Sequence, residues 1–392
     1  MRRKINIVFS VFLWKLCLIG IVVIGAPLLR PNIFFFPEIT YREWHMPDWI
    51  WVWGNFDGLH YLHIASLGYR PGEQPFLPLY PALIALGYRV FHLDYIVSGQ
   101  LISLVSFVVA LFIVRKLLAL DAPKISPSVF IALILIFPTS FYYSAVYNDA
   151  LFFFLSTLSI YLGRRQKWIW SIVIASVASI TRINGLMLFL YICTEYAWSS
   201  VPLPEQWRVA SLKKYIFERI RLRHFLRDGM YAILLIPASF IGYLIYIDQR
   251  FGSWKFVFSS MKVWNQEKIV IPLQVAWRYA KIIFIASPDT YVYWIAVVEL
   301  SFVIFYTFLI LYFFRKIRVS YWIFFVSSML LPSLTGTFQG MPRYGLHLYP
   351  FFLCLGLWFH ALGSNKKILY VSLSAIGLIA FVILFIHGYF VA

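Results

Sequence analysis

Charge is what this chain has least of. Only 13% of its 392 residues are Asp, Glu, Lys or Arg, and 16 are acidic, against about 25% charged residues in an average soluble chain. That scarcity excludes a soluble enzyme, which needs a solvated surface, and a disordered chain, which replaces apolar residues with charge. Cysteine is scarce as well. Cys17, Cys193 and Cys354 lie inside apolar runs, far from one another and from any His pair at ligand spacing, so neither a disulfide framework nor a zinc site is implied. No GxxxxGK[ST] phosphate loop occurs, so ATP is not an evident driving force. Internal repeats, heptad arrays and low-complexity tracts are missing too, and residues 1–392 read as one domain.

What fills the chain instead is apolar sequence: 61% of residues are hydrophobic and the mean hydropathy is +0.78. A crossing of the hydrocarbon layer takes about 20 apolar residues, so the sequence predicts an all-α polytopic membrane protein. About eleven spans are expected, over 5–29, 97–114, 128–146, 150–163, 168–181, 185–198, 229–247, 291–314, 320–336, 346–362 and 368–389. The net charge of +18 sits in short clusters between these runs, the positive-inside pattern, and not in one patch that would suit nucleic acid.

Parity decides the status of the further apolar stretch 76–91. If it does not cross, most of the 34 basic residues fall on the cytoplasmic side with the amino terminus; if it crosses, every later cluster lands outside, against the orientation rule. Residues 76–91 are therefore expected to form a re-entrant or interfacial helix. Two long segments, 30–96 and 248–290, then lie outside, and the basic stretch 199–228 lies inside, suited to anionic lipid.

Ionisable groups at the outer ends of spans are costly there and are functional candidates by default. Four converge on that boundary: Asp57, Asp149, Arg182 and Arg343. The first outer segment is the richest. Trp44, Trp49, Trp51 and Trp53 suit an interfacial aromatic belt, and NFDGLHYLHIASLGY follows. On a helix starting near Asp57, His60 and Tyr61 share its face, and Gly68 is placed to end it. Pro75, Pro78 and Pro81 then favour extended chain, with Pro81 suited to open the next helix. His60 and His63, with only Asp57 and Glu73 nearby, make a poor transition-metal site; His60 reads as a group that orients Asp57 or a substrate hydroxyl, or as interfacial packing.

NFDGLHYLHIASLGY followed by GEQPFLPLYPAL resembles the signature Trp-Asp-x-x-His-(x)3-Ile-Ala-(x)2-Gly-Tyr … Glu … Phe-x-Pro-Leu-Tyr-Pro of the PIG-V family, which contains the second mannosyltransferase of GPI-anchor assembly and prokaryotic relatives. The likeness continues in order through PTSFYYSAVYNDALFF, SITRINGL, the weaker FGSWKFVFSSMKVW, and FQGMPRYGLHLYPFF. It spans most of the chain between Asn55 and Phe352. Two positions depart: Asn55-Phe56 stands where the family has Arg-Trp, and Asn148-Asp149 where it usually has a glutamate. The resemblance implies a GT-C-like bundle and transfer of a sugar, mannose above others, from a polyprenyl-phosphate donor to a lipid-linked or glycan acceptor. It also implies substrate contacts at Glu73, Asn184 and Tyr344.

The residues fit that chemistry. Asp57 suits the base that takes the acceptor proton late, beside an oxocarbenium-like centre, with one displacement and inversion. Arg343, and after it Arg182, suits the departing phosphate, which a guanidinium can grip with two parallel hydrogen bonds. Asp149 is left as a partner of Arg182, an acceptor contact, or a ligand sharing a divalent cation, Mg or Mn, with Asp57. A lipid transporter or flippase, and an acyltransferase or polymer ligase based on His60 or His347, remain the alternatives. The chain reads as an integral, multi-pass protein of a prokaryotic cell membrane, amino terminus cytoplasmic and site extracytoplasmic, with an endoplasmic-reticulum setting as the other choice. Membrane lipids are expected neighbours, and no protein partner is indicated.

Overall fold

The computed structural model describes residues 6–29, 46–198, 226–264, 266 and 268–391. Among them every regular element is helical and none is a strand. In chain order the helices are α1 (Ile7–Gly25), α2 (Asp57–Leu67), α3 (Leu79–Phe91), α4 (Tyr95–Asp121), α5 (Pro127–Leu135), α6 (Asp149–Arg164), α7 (Trp168–Ser179), α8 (Met187–Trp198), α9 (Leu235–Phe251), α10 (Pro272–Ile285), α11 (Tyr291–Tyr312), α12 (Val319–Ser333), α13 (Tyr349–Ala361) and α14 (Ser364–Ile386). Short single turns join several of them. Most of the basic stretch 199–228, and Trp44, lie outside the described residues.

Among the described residues five helices are long and apolar enough to cross a membrane: Ile7–Gly25, Tyr95–Asp121, Met230–Phe251, Tyr291–Tyr312 and Ser364–Ile386. This chain carries the helices of an integral membrane protein. The expected eleven crossings are not matched one for one. The other six coincide with helices of 9, 16, 12, 12, 15 and 13 residues, α5, α6, α7, α8, α12 and α13, each shorter than the about 20 residues that a crossing takes. The expected span 128–146 departs furthest. Helix α5 ends at Leu135, Pro138 prevents its continuation, and Ser140–Ser144 is a fully buried 3-10 turn. Such irregular backbone survives in an apolar setting only when its polar groups find partners. Here Trp14 Nε1 and Ser140 Oγ donate to the Leu135 carbonyl, and Thr139 Oγ1 donates to the Pro342 carbonyl.

The bundle is built around α6, which is buried along most of its length and packs on α4 and α7; α7 in turn packs on α9, and α8 on α12. The segment 76–91 contains α3, of 13 residues, in keeping with a helix that does not cross. Its start differs from the expectation: Pro78 is the N-cap, so Pro81 lies within the first turn and does not open it. Of the expected tryptophan belt, Trp49 is exposed, but Trp53 is fully buried, with its carbonyl accepting from the Val146 amide at 2.9 Å. Trp53 is thus core packing, under the turn that delivers Asp57.

Candidate functional site

Helix α2 begins from a strained turn. Phe56, the N-cap, has φ +58°, a left-handed value costly for a residue with a Cβ and sustained only when the surroundings fix it. They do: the Phe56 ring packs on Phe385 and Phe390, Asn55 Nδ2 donates to the Phe385 carbonyl at 2.9 Å, and Tyr147 Oη donates to the Asn55 carbonyl at 2.8 Å. Asp57 follows as the first residue of α2. The helix ends where expected, at Gly68, with φ +84°.

Arg343 reaches Asp57 across 286 residues: its Nη1 donates to Asp57 Oδ2 at 2.9 Å. Its own placement comes from a pinned turn, Met341–Tyr344, after Gly340 at φ +83°. The Gly340 amide donates to Glu299 Oε1 of α11 at 3.2 Å, and Tyr306 Oη donates to the Pro342 carbonyl. The guanidinium lies over the rings of Tyr142 and Tyr147 at 5.2 and 5.1 Å. Burial opposes its charge, but the Asp57 and Asp149 carboxylates outweigh that and raise its pKa above the ordinary range. Arg343 is therefore a permanent cation.

Asp149 sits at the start of α6, completely buried, against three cationic or polar groups. Arg182 Nη1 is 3.6 Å and Arg343 Nε 3.8 Å from its Oδ1, and His347 Nε2 is hydrogen-bonded to the same oxygen. Arg182 also donates to Asn148 Oδ1 at 2.9 Å, and Asn148 Nδ2 to the Thr181 carbonyl at 2.7 Å. Three buried atoms of this cluster, Asp149 Oδ2, Arg343 Nε and His347 Nδ1, have no hydrogen-bond partner among the described residues.

The cluster opens on a cavity of about 500 Å³. Asp57, His60, Tyr61, Arg182, Asn184, Arg343 and Tyr344 all line it, so the structure brings seven of the nine sequence-chosen residues to one space. Asp149 lies behind the wall, as an anchor for both arginines. Glu73 lies beneath: it is buried, and its carboxylate takes His60 Nδ1 at 3.2 Å, His63 Nδ1 at 3.0 Å and Arg70 Nε at 3.0 Å. Burial works against its charge, yet the hydrogen bonds from His60 and the Arg70 amide, with the charges of His63 and Arg70, hold its pKa below the usual value. His60 is thus oriented by Glu73 and does not itself orient Asp57. Asn184 is mostly structural: its Nδ2 donates to the Ser328 carbonyl at 3.0 Å. A Cβ at the next residue, Gly185, would lie 2.5 Å from the Ala178 backbone, so this turn admits only glycine. Tyr344 stacks on Arg182 at 5.1 Å.

No family model, curated protein or solved structure matches this chain.

The segment 248–290 supplies what the motif reading took as its weakest block. Phe258, Met261 and Trp264 roof the cavity, and Trp264 meets the rings of His60 and Phe76 at 5.9 and 5.6 Å. His347, which the sequence offers only as a base for the alternative reaction, joins the cluster through its hydrogen bond to Asp149, a pairing that the order in FQGMPRYGLH does not show. The donor set does not fit a divalent cation shared by Asp57 and Asp149. Both carboxylates point at the same guanidinium, and Asp149 also carries a second arginine and a hydrogen-bonded histidine; the positive charge of the two arginines repels a metal. Among the described residues no other group of three or more His, Cys, Asp or Glu is placed to hold one.

Proposed function

We propose that this chain is a membrane glycosyltransferase of the GT-C kind, related to the PIG-V family. It moves a sugar, mannose above others, from polyprenyl phosphate to a hydroxyl of a lipid-linked or cell-surface glycan. The observation that supports this reading is the contact between Asp57 and Arg343 at the wall of one cavity, a base and a phosphate-binding cation within reach of the same reacting centre.

The chemistry follows from those two groups. The acceptor oxygen attacks the anomeric carbon opposite the phosphate, the bond from that carbon to the phosphate oxygen breaks with its electrons leaving on phosphate, and Asp57 takes the acceptor proton. One displacement inverts the anomeric configuration. Arg343 and Arg182 stabilise the leaving polyprenyl phosphate, a preorganised contribution of the type whose loss costs about 10²–10³-fold. Before substrate binds, Arg343 is occupied by Asp57. A donor phosphate competes for the same guanidinium and releases the carboxylate to act as base, so donor binding itself switches on the base. A cavity of about 500 Å³ suits a sugar phosphate, since small-ligand pockets run about 300–1,000 Å³, and its Phe76, Phe240, Phe258 and Trp264 side suits the start of the isoprenoid tail. Acyl transfer is less well served: among the described residues no Ser or Cys lines the cavity, and His347 is buried against Asp149.

In this reading the cavity end of the bundle is extracytoplasmic, and the opposite end, where Arg164 and Arg318 lie, is cytoplasmic, as the distribution of basic residues expects. The test is transfer of radiolabelled mannose from polyprenyl-phosphate-mannose in membranes bearing wild type or Asp57→Asn, with lipid extract of the native host as acceptor. Labelled product of inverted configuration from wild type alone is the expected result. Equal labelling by both sinks Asp57 as the base.

A further inference from the structure

A second cavity, of about 720 Å³, lies along α2, α3 and α9, and no part of the chemistry above uses it. Its walls have a regular construction. On α9 the lining residues are Ser239, Tyr243, Tyr246 and Arg250; on α3 they run from Pro78 through Ala82 and Leu86 to Arg89. Each set follows helical spacing along one face over twelve residues, about 16 Å of rise, and each ends on an arginine in the last turn of its helix. The two helices also start from one place. Ser179 Oγ donates to the Ile236 carbonyl of α9 at 3.0 Å, and the Leu79 amide of α3 donates to the Ile180 carbonyl at 3.2 Å. From the end of α7 they run on to finish in Arg89 and Arg250.

The groove is apolar along its length and basic at its far end. Two of its three tyrosine hydroxyls are already used: Tyr69 Oη donates to the Phe76 carbonyl and Tyr243 Oη to the Gln74 carbonyl, which leaves their ring faces as the wall. Leu67 and Leu86 are 75% and 52% exposed, on a helical face beside α9, one of the five membrane-crossing helices. The Arg250 guanidinium lies against the end of α2, where a methyl on Gly68 would meet its Nη2 at 3.5 Å. Among the described residues neither Arg89 nor Arg250 has a carboxylate in ion-pair range, unlike Arg70, Arg182 and Arg343.

We infer that this groove is a binding site for an anionic glycerophospholipid, its phosphate between Arg89 and Arg250 and one acyl chain lying along Leu86 and Tyr246 toward Ile180. Charge and shape together select this occupant. Two unpaired guanidiniums at headgroup level ask for a phosphate, and a 16 Å apolar trough along a spanning helix takes a fatty-acyl chain lengthwise. The site does not depend on the glycosyl-transfer reading, because its walls share no residue with the Asp57 cavity.

The experiment is native mass spectrometry of purified protein equilibrated with phosphatidylglycerol or phosphatidylcholine, for wild type, Arg89→Gln/Arg250→Gln, and Arg89→Lys/Arg250→Lys. A surface arginine strengthens anionic-lipid binding about fivefold, so the double glutamine variant is expected to lose phosphatidylglycerol about 25-fold; the lysine variant retains most of it, and phosphatidylcholine stays weak throughout. Both arginines are exposed, and an unchanged thermal midpoint in lipid-free detergent verifies that the variants fold. Three outcomes overturn the inference: equal phosphatidylglycerol retention by wild type and the glutamine variant, displacement of the lipid by inorganic phosphate at millimolar concentration, or preferential retention of polyprenyl phosphate in the same competition.

Discussion

Two charge clusters sit at opposite ends of α6, and each pairs two carboxylates with two arginines. At the Asp149 end, Asp57, Arg343 and Arg182 line a cavity with Asp149 and His347 packed behind them, Asp57 keeps 22% of its side chain exposed, and three buried polar atoms lack a partner among the described residues. At the Arg164 end, Asp121, Arg164, Glu195 and Arg318 close on themselves. Asp121 Oδ1 holds Arg164, and its Oδ2 accepts from Tyr321 and Tyr349 at 2.8 and 2.9 Å. Glu195 Oε1 accepts from Arg318 at 2.7 Å, and its Oε2 from Arg318 Nε and Ser320. In the closed cluster no buried side-chain atom lacks a partner among the described residues, and it touches neither cavity described here. The open one stores unmet hydrogen-bonding capacity beside space for a ligand. Buried ions are weak evidence of function by themselves, since structural networks use them too; unsatisfied atoms next to a cavity are the distinguishing mark.

The contrast can be broken by substitution at either end. A large effect is expected at Arg343→Lys, which keeps the charge and loses the fork: a fall of about 10²–10³-fold in transfer, measured as single-turnover rate, with the folded protein retained. At the other end Glu195→Gln is expected to remove about 1–3 kcal/mol of stability, the range for a hydrogen-bonded charged group whose partner, Arg318, is 38% exposed, read as a lower thermal midpoint. Transfer per folded molecule there stays within about twofold, because the two ends are separated by about 22 Å of helix. If Glu195→Gln abolishes transfer without unfolding, the clusters are coupled and the contrast fails.

Smaller changes sharpen the open cluster. Glu73→Gln is expected to raise KM about five- to tenfold with kcat little changed, since it loosens the hydrogen bonds that orient His60 at the cavity wall and hold His63 and Arg70 behind it. Acid gives the smallest and most local effect. The Glu73 carboxyl is held below its ordinary value of 4.5, so its contribution to the fold is full above that value and is lost only as pH falls through the lower folded-state pKa. The hydrogen-exchange protection factors of residues 57–76, which are corrected for the intrinsic pH dependence of amide exchange, are expected to stay constant from neutral pH down to about 4.5 and fall below it; a fall already at pH 6 contradicts the assignment.

Much of the site could be read from the chain because the chemistry-bearing residues violate its dominant pattern. In a sequence this apolar, Asp57, Asp149, Arg182 and Arg343 stand out one by one, and parity alone places them on one boundary. The helix from Asp57 to Gly68 was equally legible, from the face shared by Asp57, His60 and Tyr61 and from the glycine that closes it. Crossings were less so. Hydropathy cannot separate a helix that spans from one broken at membrane depth and rescued by neighbours, as at Pro138, where the rescuing donors Trp14 and Thr139 and the Pro342 carbonyl come from distant parts of the chain. Pairings were the least legible of all. That Glu73 holds His60 and His63, that Asp149 holds His347, and that Asp121 and Glu195 tie up Arg164 and Arg318 all depend on contacts between helices, for which composition and spacing carry no signal.

The most direct test of the account replaces one carboxylate by its amide at each end, Asp57→Asn and Asp121→Asn, and measures transfer rate and thermal midpoint on the same preparations. The account expects Asp57→Asn to lose about 10²–10⁴-fold in rate, the range for a general base, with its midpoint nearly unchanged, and Asp121→Asn to show the reverse. Parallel losses of rate and stability in both variants would contradict it, making the cavity cluster one more structural network.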